Sequence, residues 1–181
     1  MEHLSDSHCT KKITKSLKRI LVLSGIYKYY QRYITDKTEF VLDRGLPWGG
    51  CSGLGKDYPS IVKVKKHLPK DFGGNSLIAN IMTGSHIAHE LGHIIAYYEN
   101  NQDKSEKAAY RLVLEYFENL SKNLKHPPFK LTIVNRAKGK WYVDFKWCRK
   151  RNKSPRRRND LFYRRYAFLS YKYYKILQTA I

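Results

Sequence analysis

The stretch from His86 to His93 constrains the fold of this chain more than any other. It reads His-Ile-Ala-His-Glu-Leu-Gly-His, and the apolar run Ile-Ile-Ala follows it. Apolar residues on both sides of such a segment are typical of a buried helix, which we predict to run to about Tyr98 with Ser76 as its N-terminal cap. A half-buried face with three His and one Glu is costly unless these groups are paired or coordinate something.

The spacing within this helix predicts a metal site. His89 and His93 are four residues apart, so they lie on one face of a helix and can coordinate one ion. Glu90 follows the first of them, where its carboxylate can take a proton from a water at the open coordination position. The alternative is a core helix with incidental histidines. A catalytic zinc site needs a third protein ligand.

Glu106 is the first candidate for that third ligand. It lies 13 residues beyond His93, at the start of the next predicted helix. A turn at residues 99–103 would fold the second helix back on the first and bring the Glu106 carboxylate to the metal. The alternative role of Glu106 is a capping box with Asp103, which would occupy its carboxylate with backbone.

Two further residues are weaker candidates for the third ligand. Glu99 points to another face of a continuous helix, and it would reach the metal only if the helix broke after Ala96. His86 shares the face of the two histidines, but it is better suited to a place behind the ligands or beside Glu90. We therefore rank Glu106 first, then Glu99, then His86.

Positive charge is concentrated in the last third of the 181 residues. The net charge is +20, and residues 121–181 hold 18 Lys and Arg against 2 Asp and Glu. Such a polycation suits DNA, RNA or another polyanion, with sequence-independent phosphate contacts. The alternative is a solvated linker. The predicted nucleic-acid-binding residues are Arg149, Lys150, Arg151, Lys153, Arg156, Arg157 and Arg158.

Cysteine content and apolar run lengths predict the compartment. Cys9, Cys51 and Cys148 are odd in number and far apart, which argues against a disulfide framework or a zinc ribbon and favours a reducing environment. No apolar stretch approaches the length of a transmembrane helix or of a signal peptide. We expect an intracellular, cytoplasmic protein, or a nuclear one in a eukaryotic host.

The order of predicted elements indicates an α+β domain with a basic appendage. Residues 1–126 form the first part, with an amphipathic helix that packs against the domain, and residues 127–181 form the second. Besides the two central helices, the predicted elements are a helix from Ile13 to about Tyr33 that bends at Gly25, a strand at Glu39–Asp43, a glycine-rich loop at Gly45–Gly55, a strand at Ser60–Lys65, a hairpin of Leu131–Val134 with Trp141–Trp147, and a last helix from Asn159 or Asp160.

The motif also carries a resemblance to a known class of enzymes. The segment His89-Glu90-Leu91-Gly92-His93, followed by Glu106-x-x-Ala109, resembles zincin metallopeptidases of the gluzincin kind, as in the ImmA/IrrE-like and M48-like proteins. The resemblance implies a motif helix packed on a small sheet, three zinc ligands at His89, His93 and Glu106, and Glu90 as general base. Tyr110 departs from the M48-like pattern, which has Asp at that place.

A fainter resemblance leaves the subfamily open. The order of Trp48-Gly49-Gly50-Cys51, a strand and then the motif helix is similar to the SprT-like and YgjP-like group. The third ligand there is a His, which this chain lacks, and Glu99 has the corresponding YgjP-like spacing. The two resemblances together cover about residues 48–118.

Two functions follow as expectations. The first is a zinc-dependent metallopeptidase that acts on proteins associated with nucleic acid. Its substrate would add as a strand at the sheet edge formed by Ser60–Lys65, and Tyr97, Tyr98 or His126 would steady the oxyanion. The second is a non-catalytic nucleic-acid-binding or regulatory protein with a degenerate zincin-like domain. An intact Glu90 favours the enzyme, because a purely structural metal needs no base.

Overall fold

The computed structural model describes residues 9–10, 13–46, 50–54, 59–99, 105–127, 140–143 and 166–170. Within them the chain forms helices and a small mixed sheet, which confirms the α+β class. The helices are α1 (Lys15–Leu23), α2 (Tyr27–Tyr33), α3 (Ser76–Tyr98) and α4 (Ser105–Asn123), with a short 3-10 helix at Pro69–Phe72. The strands are β1 (Cys9–Thr10), β2 (Glu39–Asp43), β3 (Gly50–Leu54), β4 (Pro59–Lys65), β5 (Lys140–Val143) and β6 (Tyr166–Ser170).

The larger sheet has the strand order β1-β2-β4-β3. Strand β2 is parallel to β4, and β3 is antiparallel to β4 with Gly50 opposite Val64. The prediction that Ser60–Lys65 forms the sheet edge is therefore wrong. Part of the predicted glycine-rich loop forms strand β3 and pairs with the free side of β4, so β3 is the border strand.

The N-terminal region forms two helices rather than one. Gly25 has a φ of 73°, a left-handed conformation that glycine adopts without strain, and the chain bends there as predicted. Leu17, Ile20 and Leu21 are buried, so the apolar side of α1 packs into the core. This confirms the predicted packing of the amphipathic helix against the domain.

Two glycines of α3 allow an unusually close approach of α4. A Cβ at Gly92 would lie 2.9 Å from the Ala108 carbonyl oxygen and closer still to the backbone of Ala109. Eight residues earlier, a Cβ at Gly84 would meet the ring of Tyr116, whose hydroxyl donates a hydrogen bond to a carbonyl oxygen of α3. The two contacts show that α4 runs antiparallel to α3 and that its first turn lies against the motif.

The N-terminus of α3 differs by one residue from the sequence prediction. Asn75 is the capping residue, and its Oδ1 accepts a hydrogen bond of 3.0 Å from the Ile78 backbone N–H. Ser76, the expected cap, is the first helical residue and is exposed. An Asn side chain caps a helix as well as Ser does, so composition alone does not distinguish the two positions.

We expect Asn75→Ala to lower the free energy of unfolding by about 1 kcal/mol, because the backbone N–H of Ile78 loses Asn75 Oδ1 as its acceptor. Urea denaturation followed by circular dichroism measures this change. Ser76→Ala is the matched control and should alter stability by less than about 0.5 kcal/mol. Equal losses in the two variants would contradict the assignment of Asn75 as the cap.

In the C-terminal third, the described residues confirm part of the predicted strand Trp141–Trp147 and contradict part of the predicted last helix. Strand β5 pairs antiparallel with β6, with Val143 opposite Tyr166. Residues 166–170 were predicted to lie in a helix, and that prediction is wrong. Residues 131–134 of the predicted hairpin, Asp103 of the predicted capping box and the start of the predicted last helix lie outside the described residues. None of the described helices is both long and apolar enough to cross a membrane.

Candidate metal centre

The structure brings His89, His93 and Glu106 together. The Nε2 atoms of the two histidines are 3.1 Å apart. The carboxylate of Glu106 lies 3.5 Å from His93 Nε2 through Oε1 and 3.9 Å from His89 Nε2 through Oε2. Ligand atoms of one tetrahedral zinc, each at about 2.0–2.2 Å from the ion, are roughly 3.3 Å from one another. The three side chains therefore fit a single metal ion of that size.

Helix packing explains why Glu106 reaches the histidines and Glu99 does not. Glu106 is one turn before Ala109, whose backbone touches Gly92 between the two histidines. Glu99 caps the C-terminus of α3, which continues unbroken to Tyr98, and it is exposed. Among the described residues, His89, His93 and Glu106 are the group that could hold a metal ion, and Glu99 is not part of it.

His86, the third candidate, is paired with a histidine that the sequence did not single out. Its Nε2 lies 3.0 Å from Nε2 of His67, which follows strand β4. Burial, and after it the charge of His67, lowers the pKa of His86 to about 3. His86 therefore shares a hydrogen bond with His67, and the expected pairing of His86 with Glu90 is not found among the described contacts.

The partner of Glu90 comes instead from strand β3. Ser52 Oγ donates a hydrogen bond of 3.2 Å to Glu90 Oε2. At Gly50 a Cβ would lie 2.8 Å from Glu90 Oε1, so only glycine leaves room for the carboxylate. Burial raises the pKa of Glu90 to about 7; the hydrogen bond from Ser52 opposes this shift, and the charge of Glu106 adds to it. A carboxylate with such a pKa is well matched to proton transfer near neutrality.

The environment of the two histidines favours the neutral form that binds metals. Burial lowers the pKa of His89 to about 4, and the charge of His93 adds to the shift. Burial also lowers the pKa of His93, against the opposing effect of Glu106. The Nδ1 atom of His93 is in hydrogen-bond contact with Ser105 Oγ at 2.5 Å. When Nδ1–H donates to that hydroxyl, Nε2 is left with the lone pair that a metal ligand needs.

These groups open into one cleft of about 360 Å³. Its described lining residues are Gly50, Ser52, His89, Glu90, His93, Ser105 and Glu106. Two serines and a glycine of this set were missed by sequence reasoning, because nothing local distinguishes them from loop residues.

None of the three proposed oxyanion residues is among the described residues that line the cleft. Tyr98 stacks on Tyr33 with ring centroids 5.7 Å apart, on the side of α3 that faces α2. His126 follows the far end of α4, about 25 Å along that helix from Glu106. Tyr97 packs edge-on against Tyr98. The placement of Tyr98 and His126 argues against the expected role. Tyr97 is four residues beyond His93 and shares its helix face, so its role stays a prediction.

The predicted nucleic-acid-binding residues, from Arg149 to Arg158, lie outside the described residues. Their role stays a prediction that depends on composition. No protein-family profile, characterised protein or solved structure matches this chain.

Proposed function

We propose that this protein is a zinc-dependent metallopeptidase with a zincin-like domain, and that it hydrolyses peptide bonds in a protein substrate. The observation that carries the proposal is the meeting of Glu106 with His89 and His93. Two neutral imidazoles and one carboxylate are a donor set of catalytic zinc sites, which keep a fourth position open, whereas structural sites are closed by four protein ligands. The acidic Glu90 side chain faces the same cleft, as a peptidase requires.

The residues of the cleft then have distinct roles. A zinc ion held by the three ligands would polarise the scissile carbonyl and acidify a water. Glu90 accepts the proton of the attacking water and returns it to the leaving amine, as a general base and then a general acid. Ser52 fixes the orientation of the Glu90 carboxylate through its hydrogen bond.

The border strand β3 is the proposed site of substrate binding. Its outer edge has no strand paired with it among the described residues, and its residues Gly50 and Ser52 line the cleft. An extended peptide could add to this edge through main-chain hydrogen bonds. The peptide would then pass beside Glu90, where its bond is cleaved.

The basic segment Arg149–Arg158 adds a proposed targeting function. Its charge suits the phosphates of DNA or RNA, and binding would bring the enzyme to proteins associated with nucleic acid. The alternative is a non-catalytic nucleic-acid-binding or regulatory protein. The raised pKa of Glu90 and its hydrogen-bonded position in the cleft favour the enzyme, because a scaffold has no use for such a base.

Metal content tests the proposal. We expect the wild type to bind about one zinc per chain, as measured by elemental analysis after reconstitution and desalting. His93→Ala should lose the ion, and Glu106→Ala should bind it much more weakly. Glu99→Ala is the matched control, since this exposed carboxylate is outside the group. Degradation of fluorescently labelled casein, and its loss on addition of a chelator, then measures peptidase activity.

Absence of zinc from folded wild type would overturn the proposal. Zinc binding that is lost in Glu99→Ala and kept in Glu106→Ala would reject the ligand set. Zinc binding without any cleavage of unfolded proteins would favour the non-catalytic alternative.

A further inference from the structure

The surface of α1 and α2 carries a second concentration of positive charge, apart from the C-terminal segment. Residues 13–35 contain no Asp or Glu. Their five cations are all exposed: Lys15, Lys18, Arg19, Lys28 and Arg32. We call the surface that these five residues form the basic α1–α2 face. Within the described residues none of the five forms an ion pair with a carboxylate, so their charge is available to an external anion.

The spacing of these cations places them in rows. Lys15, Lys18 and Arg19 are three and four residues apart on α1, and Lys28 and Arg32 are four apart on α2, so the members of each row share a helix face. Three of the cations lie over tyrosine rings, with Lys18 at 5.0 Å from the Tyr27 centroid. Lys28 and Arg32 make the equivalent contact with Tyr29 and Tyr33. These contacts hold the charged groups in place before a partner arrives.

The apolar side of α1 is already used inside the protein. Leu17, Ile20 and Leu21 are all less than 4 % exposed, and among the large apolar residues of the helix Val22, at 54 %, is the one that is well exposed. A helix that lies in a membrane surface needs a free apolar face. The basic α1–α2 face offers charge without such a face, which favours a partner with phosphates in water over a lipid bilayer.

The position of this face relative to the cleft follows from two contacts. Asn80 of α3 donates a hydrogen bond of 3.2 Å to Ser16 of α1. Tyr98 of α3 stacks on Tyr33 of α2. Asn80 and Tyr98 are each nine residues from His89, which is two and a half helical turns, so both lie on the side of α3 opposite His89. The basic α1–α2 face is therefore behind the motif helix, and a partner bound there leaves the cleft open.

We infer that the basic α1–α2 face binds the phosphate backbone of a nucleic acid without reading its sequence. Five exposed cations in two rows, with no carboxylate paired to them in the part of the chain that the structure describes, fit a polyanion. The release of the condensed counterions of the polyanion would drive binding. The inference does not depend on the peptidase proposal, because neither the metal ligands nor Glu90 takes part. It adds a second contact surface to the one predicted at the C-terminus.

Binding of a fluorescent single-stranded oligonucleotide to the full chain, measured by anisotropy over a range of salt concentrations, tests the inference. The test variant is Lys15→Gln, Arg19→Gln and Arg32→Gln combined. The matched control is Lys70→Gln, Arg44→Gln and Arg111→Gln, which removes the same number of exposed Lys and Arg charges from other surfaces. We expect the slope of log affinity against log salt to fall by about 2 in the test variant, from three lost phosphate contacts.

The control variant should retain nearly the wild-type slope. Equal slopes in both variants would overturn the inference, because they would mean that only total charge matters. Binding of both variants to vesicles of phosphatidylserine and phosphatidylcholine is measured in parallel. Vesicle binding that is lost only in the test variant, with unchanged oligonucleotide binding, would overturn the inference in favour of a membrane partner.

Lysine footprinting on the wild type gives a readout that does not depend on how the variants fold. Acetylation of Lys18 and Lys28, followed by mass spectrometry, should decrease several-fold when the oligonucleotide is bound. Lys70 is the exposed internal reference and should react equally in both states. Unchanged acetylation of Lys18 and Lys28 at saturating oligonucleotide would also overturn the inference.

Discussion

Glu90→Gln is expected to reduce peptidase activity by roughly 10²–10⁴-fold, the usual contribution of a general base, while zinc stays bound. Gln has the size of Glu and keeps an oxygen that can accept the hydrogen bond from Ser52. It cannot take the proton of the attacking water. The loss should therefore appear in the rate of cleavage of labelled casein, and zinc content and thermal unfolding should change little.

Glu99→Gln is the control for this substitution. It removes a carboxylate of the same helix that is exposed and outside the cleft, so activity should be unchanged. A Glu90→Gln variant that cleaves at the wild-type rate would show that Glu90 is not the base. If the variant also loses zinc, the lower rate would be explained by the missing metal rather than by the missing proton transfer.

Gly92→Ala is expected to have the largest effect on the fold and to weaken metal binding at the same time. Its Cβ would be forced against the backbone of Ala109, which cannot rotate away as a side chain can. Overpacking of this kind lowers the free energy of unfolding by about 1–3 kcal/mol, beyond the gain in helix propensity from Gly to Ala of about 1 kcal/mol. Displacement of α4 also moves Glu106 away from the histidines, so zinc affinity should fall.

Urea denaturation and zinc titration measure the two effects of Gly92→Ala. Gly53→Ala is the control, because a Cβ there would make only ordinary contacts, the nearest at 3.5 Å to Ser60 Oγ. We expect the control to alter the free energy of unfolding by less than about 0.5 kcal/mol. A Gly92→Ala protein with wild-type stability and zinc affinity would mean that α3 and α4 are farther apart than described.

Features that depend on local sequence could be predicted. The motif helix, the bend at Gly25 and strand β2 follow from periodicity and from single residues, and the structure has them at the expected places. Glu106 could also be ranked first among the candidates for the third ligand, because its approach to the histidines requires only that two successive helices fold back on each other. The missing side chain of Gly92, next to His93, supplies the space for that approach.

Features that depend on distant partners could not be predicted. Strand β3 lies in a glycine-dense run that has no strand pattern, and it forms because β4 offers a free edge. The contact of Ser52 with Glu90 joins residues 38 positions apart, and that of His67 with His86 joins residues 19 apart. No local pattern indicates either pair. The strand at residues 166–170 likewise depends on its partner β5, whereas its own aromatic-rich sequence was compatible with a helix.

The burial of α3 has a consequence for the proposed metal binding. Fourteen of its 23 residues are buried, and it contacts the sheet and the three other described helices. The motif therefore cannot unfold locally, and its amides should exchange with solvent only when the whole domain opens. An ion held in the open cleft can dissociate without unfolding of this helix, but its binding energy adds to the stability of the entire domain. If the ion is the proposed zinc, zinc starvation would therefore lower the amount of folded protein as well as the proposed activity.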